Sequence, residues 1–266
     1  MGANTTIRSR SNPLLKRVGA VLAGKDERAL VLEGERLIDD ALAAGLALEV
    51  VLVDEDRSER ADALRARTSE VRLVAAGLLA RASALETSPG VLALCPRPAA
   101  HELEELDAGG QALVLVAAGV SDPGNLGALA RSAEAAGARA LVVLRGGASP
   151  WGPKALRGSM GSVLRLPCYA GVEAARAARV LADKGLRQVR AATRGGRPPG
   201  ELDWSGPLAL WIGAETGALP AAARGFEPVT IPTARGVESL NVTVAAALLL
   251  FAAGRVAGGA ARGERP

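Results

Sequence analysis

Short apolar runs alternate with amphipathic stretches along most of the chain, and this alternation limits the folds open to it. The run Ala112–Ala117 holds no polar residue, as is typical of a parallel strand whose sheet is covered on both faces. The stretch Glu35–Ala44 instead places Leu37, Ile38 and Ala41 on one face of a helix. Strands that alternate with helices predict an α/β fold with a parallel sheet.

The 266 residues are enough for two modest domains. We predict a smaller N-terminal α/β domain over residues 1–98 and a second α/β domain over residues 111–266. The stretch 99–110 has an acidic cluster and ends in Gly109–Gly110, which predicts a linker. The predicted strands are Ala29–Leu32, Leu48–Val53, Val71–Val74, Val91–Leu94, Ala112–Ala117, Ala140–Leu144, Val189–Ala192, Leu208–Ile212 and Val229–Ile231. The predicted helices are Glu35–Ala44, Arg60–Arg67, Ala76–Arg81, Asn125–Ala136, Val172–Lys184 and Val242–Ala253.

The C-terminal run Val242–Ala253 is apolar except for Thr243. It is shorter than the roughly 18 residues that a membrane-spanning helix needs. Because a helix that is apolar on every side is buried, we predict that it packs against the sheet, a partner subunit or both. The N-terminal residues are basic and polar without an apolar signal core, which predicts a cytoplasmic protein.

Cysteine, histidine and aromatic residues are scarce, which argues against several classes of site. Cys95 and Cys168 both lie among apolar residues, so we predict buried free thiols. His101 is the only histidine, which nearly excludes a histidine-dependent triad or a histidine-rich metal site, and no metal is predicted. Aromatic residues make up 2% of the chain, too few for a protein that reads RNA mainly by base stacking.

Positive charges are clustered, although the formal net charge is only +4. The first 25 residues contain no acid, and a second stretch without acids runs from Arg145 to Arg165. Such clusters favour a polyanionic partner, most often a phosphate backbone. On charge alone, an ordinary solvated basic surface is an equally good interpretation.

The first candidate site is the segment Ser121–Arg131, where a strand ends, a tight turn follows and a helix begins. Asn125 is the expected N-cap of that helix. Arg131 is expected near the carboxyl edge of the strands, where open α/β sheets bind ligands. Taken alone, the segment is better explained as a surface arginine near a capped helix.

The second candidate site is Leu210–Pro220, in which an apolar strand runs into Gly213, Glu215 and Gly217. Glycines after a strand allow a ligand to approach the backbone closely. The Gly-x-Gly-x-x-Gly order of dinucleotide-binding proteins is absent. A plain strand-to-loop turn remains an alternative for this segment.

The third candidate site is Ile231–Val242, a loop that leads into the C-terminal helix. At such a junction backbone N–H groups lack partners and point outward. Ser239 could serve as the N-cap, with Asn241 in the first helical turn. No histidine or lysine is nearby to activate Ser239, so it is a poor nucleophile.

Together the three segments resemble the SpoU/TrmH family of RNA ribose 2′-O-methyltransferases in order, spacing and residues. The matching residues are Asn125 and Arg131 in the first, Ile212, Gly213, Glu215 and Gly217 in the second, and Ile231, Pro232, Glu238, Ser239, Leu240, Asn241 and Val242 in the third. The segment Lys154–Gly161 also resembles the family. The N-terminal half is similar to the family's substrate-binding domain at Leu32–Glu35 and Thr87–Val91, more loosely, and lacks the usual aromatic residue at Ala29–Val31.

The resemblance implies a catalytic C-terminal half that holds S-adenosylmethionine in a deep trefoil knot, largely through backbone groups. It also implies a homodimer packed through the knotted region, which would cover the apolar C-terminal helix. The cofactor-binding residues implied are Ile212, Gly213, Ile231, Ser239 and Leu240. The RNA-binding residues expected from the basic clusters and the family segments are Arg8, Arg10, Lys16, Arg17, Lys154 and Arg157.

The resemblance makes Arg131 the principal catalytic residue. Because a guanidinium stays protonated, we expect Arg131 to hold the neighbouring phosphate and to stabilise charge on the attacking 2′-oxygen. Glu215 is expected to orient a cation, with Arg131 as one candidate. The implied catalytic residues are Asn125, Arg131, Glu215, Ser239 and Asn241.

Other functions remain open at this point. A non-catalytic RNA-binding or ribosome-assembly protein could keep the same fold, and a base methyltransferase or a tRNA-directed enzyme could use the same scaffold. The sequence Ser-Leu-Asn at Ser239–Asn241 favours methylation of the ribose over methylation of the base. The N-terminal extension favours ribosomal RNA, with the large subunit as the first candidate.

Overall fold

The computed structural model describes residues 6–68, 70–213, 219–234 and 237–259. The chain divides into two compact units. The first comprises Met1–Ala99 with Trp151–Leu156, and the second comprises Ala100–Pro150 with Arg157–Pro266. Among the described residues, no helix combines the length and the apolar character needed to cross a bilayer.

The first unit is built on a four-stranded mixed sheet in the order β1-β4-β2-β3. Strands β2 and β3 are parallel, whereas β4 runs antiparallel to both β1 and β2. Its strands are β1 (Ala29–Glu33), β2 (Val50–Asp54), β3 (Val71–Val74) and β4 (Val91–Pro96). Its helices are α1 (Pro13–Leu22), α2 (Glu35–Ala43), α3 (Ser58–Arg65) and α4 (Leu78–Ala82).

The sequence prediction missed helix α1, although its start signals are present. Asn12 is the N-cap, and its side chain accepts a hydrogen bond from the Leu14 N–H at 2.9 Å. Pro13 occupies the first turn, where a missing N–H costs nothing. Leu15, Val18 and Val21 then form the buried face.

The second unit is built on a six-stranded sheet, all parallel, in the order β10-β8-β9-β5-β6-β7. This confirms the predicted α/β class with a parallel sheet. Its strands are β5 (Leu113–Ala118), β6 (Ala140–Leu144), β7 (Cys168–Val172), β8 (Arg187–Ala191), β9 (Leu208–Gly213) and β10 (Glu227–Val229). The remaining helices are α5 (Pro123–Ala135), α6 (Pro153–Ser159), α7 (Ser162–Arg165), α8 (Ala174–Asp183) and α9 (Val242–Gly259).

Helices cover both faces of the parallel sheet, as burial of such strands requires. Val180 and Leu181 of α8 share one core with Val114, Val116 and Trp211 of the strands. Helices α5 and α9 pack on each other and on the other side of the central strands. Gly254 allows this helix contact, because a Cβ there would lie 2.5 Å from the Ala136 carbonyl oxygen.

Several predicted boundaries were wrong. Strand β7 was not predicted and occupies Cys168–Val172. Its last residue, Val172, is where a helix was predicted to begin, whereas α8 begins at Ala174. The stretch 99–110, predicted to be a linker, carries Leu103 and Leu106, which are buried in the core of the second unit. Apolar side chains inside an acidic segment were the signal for this packing.

The N-cap of α5 is Asp122 rather than Asn125. The Asp122 side chain accepts a hydrogen bond from the Asn125 N–H at 2.8 Å. The helix begins two residues before Asn125, because Pro123 suits the first helical position. Asn125 therefore has its amide side chain available for a role other than capping.

Both cysteines are buried free thiols, as predicted. Burial raises the pKa of the Cys168 thiol to about 12. Burial, followed by the nearby negative charge of Glu49, raises the pKa of Cys95 to about 11. Since the thiolate is the reactive form, neither cysteine is suited to nucleophilic chemistry.

Helix α9 packs against the sheet, which is one of the predicted arrangements, but it is not buried on every side within one chain. Ala246, Leu250 and Ala253 are buried. A second face, spaced by four and three residues, is about half exposed: Val244 at 48%, Leu248 at 51% and Phe251 at 48%. An apolar surface of this kind on a helix usually marks a contact site.

Candidate active site

A cavity of about 460 Å³ lies at the carboxyl ends of β8, β9 and β10. Its volume falls within the range of small-molecule pockets, about 300–1,000 Å³. Its place matches the edge at which open α/β sheets bind ligands. The cavity is therefore the best candidate for a ligand site among the described residues.

All five residues expected to bind the cofactor line this cavity. Ile212 and Gly213 end strand β9, and Gly213 leaves the backbone accessible. Ile231 follows β10, while Ser239 and Leu240 precede α9. The loops therefore bring together residues that lie 27 positions apart along the chain, from Ile212 to Ser239.

Helix α9 supplies an apolar wall of the cavity through Val242, Ala245 and Leu249. These residues follow helical spacing, and because Val242 and Leu249 are buried, the cavity wall is part of the buried side of α9 and not of its exposed face. Ser239 is exposed, and its hydroxyl makes no hydrogen bond to any described residue. The cavity thus combines an apolar wall, accessible backbone and the hydroxyl of Ser239.

Asn241, rather than Ser239, has the N-cap interaction of α9. Its side-chain oxygen accepts a hydrogen bond from the Thr243 N–H at 2.9 Å. The same oxygen accepts from the Thr243 hydroxyl. This interaction fixes where the helix begins and leaves Ser239 in the preceding loop.

The residues expected to be catalytic are not all gathered around the cavity of one chain. Ser239 lines the cavity, but Asn125 and Arg131 lie on α5 and do not. Arg131 is exposed, and its side chain has no hydrogen bond or ion pair within the described ranges. Glu215 lies outside the described residues.

The residues expected to bind RNA differ in their availability. Arg17 is engaged by Glu49 at 3.0 Å and by Asp26 at 3.3 Å, and its pKa is raised chiefly by the hydrogen bond with Glu49. Arg8 lies 3.3 Å from Glu55. Arg10 and Lys16 are exposed and form no ion pair with another described residue. Lys154 is exposed on α6, whereas Arg157 is partly buried.

Three arginines that the sequence analysis did not single out also line the cavity: Arg190, Arg194 and Arg224. None of their side chains forms a hydrogen bond or ion pair in the part of the chain that the structure describes. Arg190 lies in β8, and Arg194 follows that strand. The signal available in the sequence was a cation near the end of a predicted strand, where a covered strand should be apolar.

Within the described ranges, no three histidine, cysteine or acidic side chains are grouped as metal ligands would be. This finding does not test whether the reaction needs a metal, so the expected independence of a metal remains a prediction.

Comparison with known proteins identifies what the chain is similar to. The profile of the SpoU rRNA Methylase family matches residues 112–251. The 23S rRNA (guanosine-2′-O-)-methyltransferase RlmB of a Burkholderia species is 35% identical, over 76% of this chain and 84% of its own length. The 23S rRNA (guanosine(2553)-2′-O)-methyltransferase RlmP of Bacillus subtilis is 30% identical, over 83% and 86%. The AdoMet-bound rRNA methyltransferase from Sinorhizobium meliloti superimposes with a TM-score of 0.84 at 26% identity, over 94% and 97%.

Proposed function

This chain belongs to the SpoU rRNA Methylase family, and we propose that it methylates a ribose 2′-hydroxyl in RNA of the large ribosomal subunit. It is an RNA 2′-O-methyltransferase with S-adenosylmethionine as methyl donor. The observation that carries the proposal is the cavity at the carboxyl ends of the strands, lined by Gly213, Ser239 and Leu240. The large-subunit target is supported by the 23S rRNA named in the two curated relatives.

The residues around the cavity suit S-adenosylmethionine. The volume of about 460 Å³ accommodates a nucleoside with an amino-acid chain. Leu240, Val242 and Leu249 offer apolar contact to an adenine ring, and the backbone of Gly213 is open to hydrogen bonding. When bound, the donor supplies a methyl group that is already activated by a positively charged sulfur. The protein's tasks are therefore placement of the ribose and handling of the hydroxyl proton.

Arg131 is the residue to which we assign the RNA side of the reaction. Its guanidinium stays protonated, so it holds the phosphate next to the target ribose and stabilises negative charge on the 2′-oxygen. A phosphate oxygen or a water molecule then takes the proton. Asn125, Glu215 and Asn241 orient Arg131 and the ribose, and Ser239 is an exposed residue of the cavity lining.

We propose a homodimer that covers the exposed face of α9. Val244, Leu248 and Phe251 form an apolar surface beside the cavity-lining residues of the same helix. Arg131 lies on α5, which packs against α9. We propose that a second copy seated on this surface adjoins both Arg131 and the cavity wall. The trefoil knot and a cytoplasmic location remain predictions, the latter favoured by a ribosomal RNA substrate.

The proposal is tested by transfer of labelled methyl groups from S-adenosylmethionine to purified RNA. The RNA is taken from cells lacking the gene and separated into large-subunit, small-subunit and transfer RNA before incubation. We expect label in large-subunit RNA, and little label when that RNA comes from wild-type cells, in which the position is already methylated. Label confined to transfer RNA would contradict the target. Absence of label from every fraction would favour the non-catalytic RNA-binding alternative.

A further inference from the structure

Arg190 lines the cavity from strand β8, where it lies in register with Trp211 of β9. Its Nε is enclosed by the protein and has no hydrogen-bond acceptor among the described residues. The residue also forms no ion pair within those ranges. Its terminal guanidinium nitrogens are not enclosed, so they have access to the cavity that the residue lines.

Most of the other arginines that the structure describes in the second unit face carboxylates. Arg187, three residues earlier on the same strand, is paired with Glu227 at 2.7 Å. Arg165 binds Glu134 through two nitrogens, and Arg176 contacts Glu104 and Glu102. A partly buried guanidinium without such a partner is disfavoured, so its persistence beside a cavity points to an anion that arrives with the ligand.

The inference that follows rests on the proposed function, in which the ligand is S-adenosylmethionine. That molecule carries two cationic groups, an ammonium and a sulfonium, and a single anionic group, the carboxylate of its methionine part. A fixed guanidinium repels the cations and attracts the carboxylate. Arginine also matches the planar geometry of a carboxylate with two parallel N–H donors.

We propose that Arg190 binds the carboxylate of S-adenosylmethionine and thereby orients the methionine part of the donor. This makes Arg190 a specificity-determining residue for the donor. Arg194 and Arg224, which are exposed where they line the same cavity, are better placed to meet the RNA backbone. Arg190 is less suited to that role, because its Nε is enclosed and it projects from a strand of the sheet.

Calorimetry with three ligands tests this assignment. The ligands are S-adenosylmethionine, decarboxylated S-adenosylmethionine, which keeps both cations, and 5′-methylthioadenosine, which keeps only the nucleoside and sulfur. We expect the wild-type protein to bind the first more tightly than the second by roughly 10- to 100-fold, the range for a charge-assisted hydrogen bond. In Arg190→Gln this difference should nearly vanish, while the affinity for 5′-methylthioadenosine stays within about twofold of wild type.

Two further variants keep the result interpretable. Arg190→Lys retains a charge but loses the fork of donors, so it should recover part of the discrimination. Arg187→Gln, on the same strand but absent from the cavity lining, should leave the discrimination intact. Equal weakening of all three ligands by Arg190→Gln would show a structural role or contact with the adenine, and would overturn the inference. Unchanged discrimination in Arg190→Gln would also overturn it. Failure of the wild-type protein to bind any of the three would instead contradict the proposed function.

Discussion

Replacement of Arg131 by alanine should lower the rate of methyl transfer by roughly 100- to 1,000-fold, the usual effect of removing one fixed donor that stabilises developing negative charge. The binding of S-adenosylmethionine should not change, because Arg131 does not line the cavity. The stability of the fold should not change either, since the side chain is exposed and forms no ion pair with a described residue. The separation of rate from donor affinity is the expected signature of a residue that acts on the RNA side.

Single-turnover methylation of RNA, combined with calorimetric titration of S-adenosylmethionine, measures both quantities. Arg179→Ala is a suitable control, because Arg179 is an exposed arginine on α8 whose nearest carboxylate, Asp183, is 3.9 Å away. The control should methylate at the wild-type rate. Arg131→Ala with normal activity would remove Arg131 from the mechanism. Loss of donor binding in that variant would show that Arg131 supports the cavity instead.

Replacement of Leu248 by glutamate should split the proposed homodimer and abolish most activity. Leu248 is half exposed at the centre of the apolar face formed with Val244 and Phe251. In a twofold dimer the same patch meets its own copy, so two carboxylates would be buried against each other. Burial of unpaired charges should raise the dissociation constant of the dimer by at least about 100-fold. The single chain should remain folded, because Leu248 already faces outward from α9.

Analytical ultracentrifugation across a range of protein concentrations, with methylation assays on the same samples, tests this prediction. Ala182→Glu is the matched control, since it places the same charge on an exposed position of α8, on the other side of the sheet. The control should sediment like the wild type. A wild-type protein that is active as a monomer, or a Leu248→Glu variant that remains dimeric, would contradict the assignment of α9 as the dimer surface.

The sequence predicted the architecture wherever burial imposed a simple pattern. Strand β5 is apolar throughout because both faces of a parallel sheet are covered, and this pattern predicted a strand at Ala112–Ala117, one residue from the observed Leu113–Ala118. Strand β7 was missed because it is a short edge strand in which the small residues Ala170 and Gly171 weaken the apolar pattern. The N-cap of α5 was predicted at Asn125 but is Asp122. Both residues can cap a helix, so the choice depends on where the helix begins.

Some residues that line the cavity were predicted from the sequence and others were not. Ile212, Gly213 and Leu240 were found through their motifs and lie together in the structure. Arg190 was not predicted as a site residue, because what marks it is that its guanidinium has no hydrogen-bond acceptor or carboxylate among the described residues. That absence depends on strand register and on distant acids, such as Glu227, which pairs with Arg187 instead. The exposure of Leu248 could not be predicted either, because the sequence does not show which part of the protein, if any, packs on an apolar residue.

The central claim is that the chain methylates the ribose and not the base. The most direct measurement is mass spectrometry of nucleosides released by complete digestion of RNA that the purified protein has methylated with S-adenosylmethionine. We predict one methylated nucleoside whose fragmentation leaves the added methyl group on the sugar and an unmodified base, and whose yield falls with Arg131→Ala. A methyl group that remains with the base after fragmentation would contradict the ribose mechanism proposed for this site.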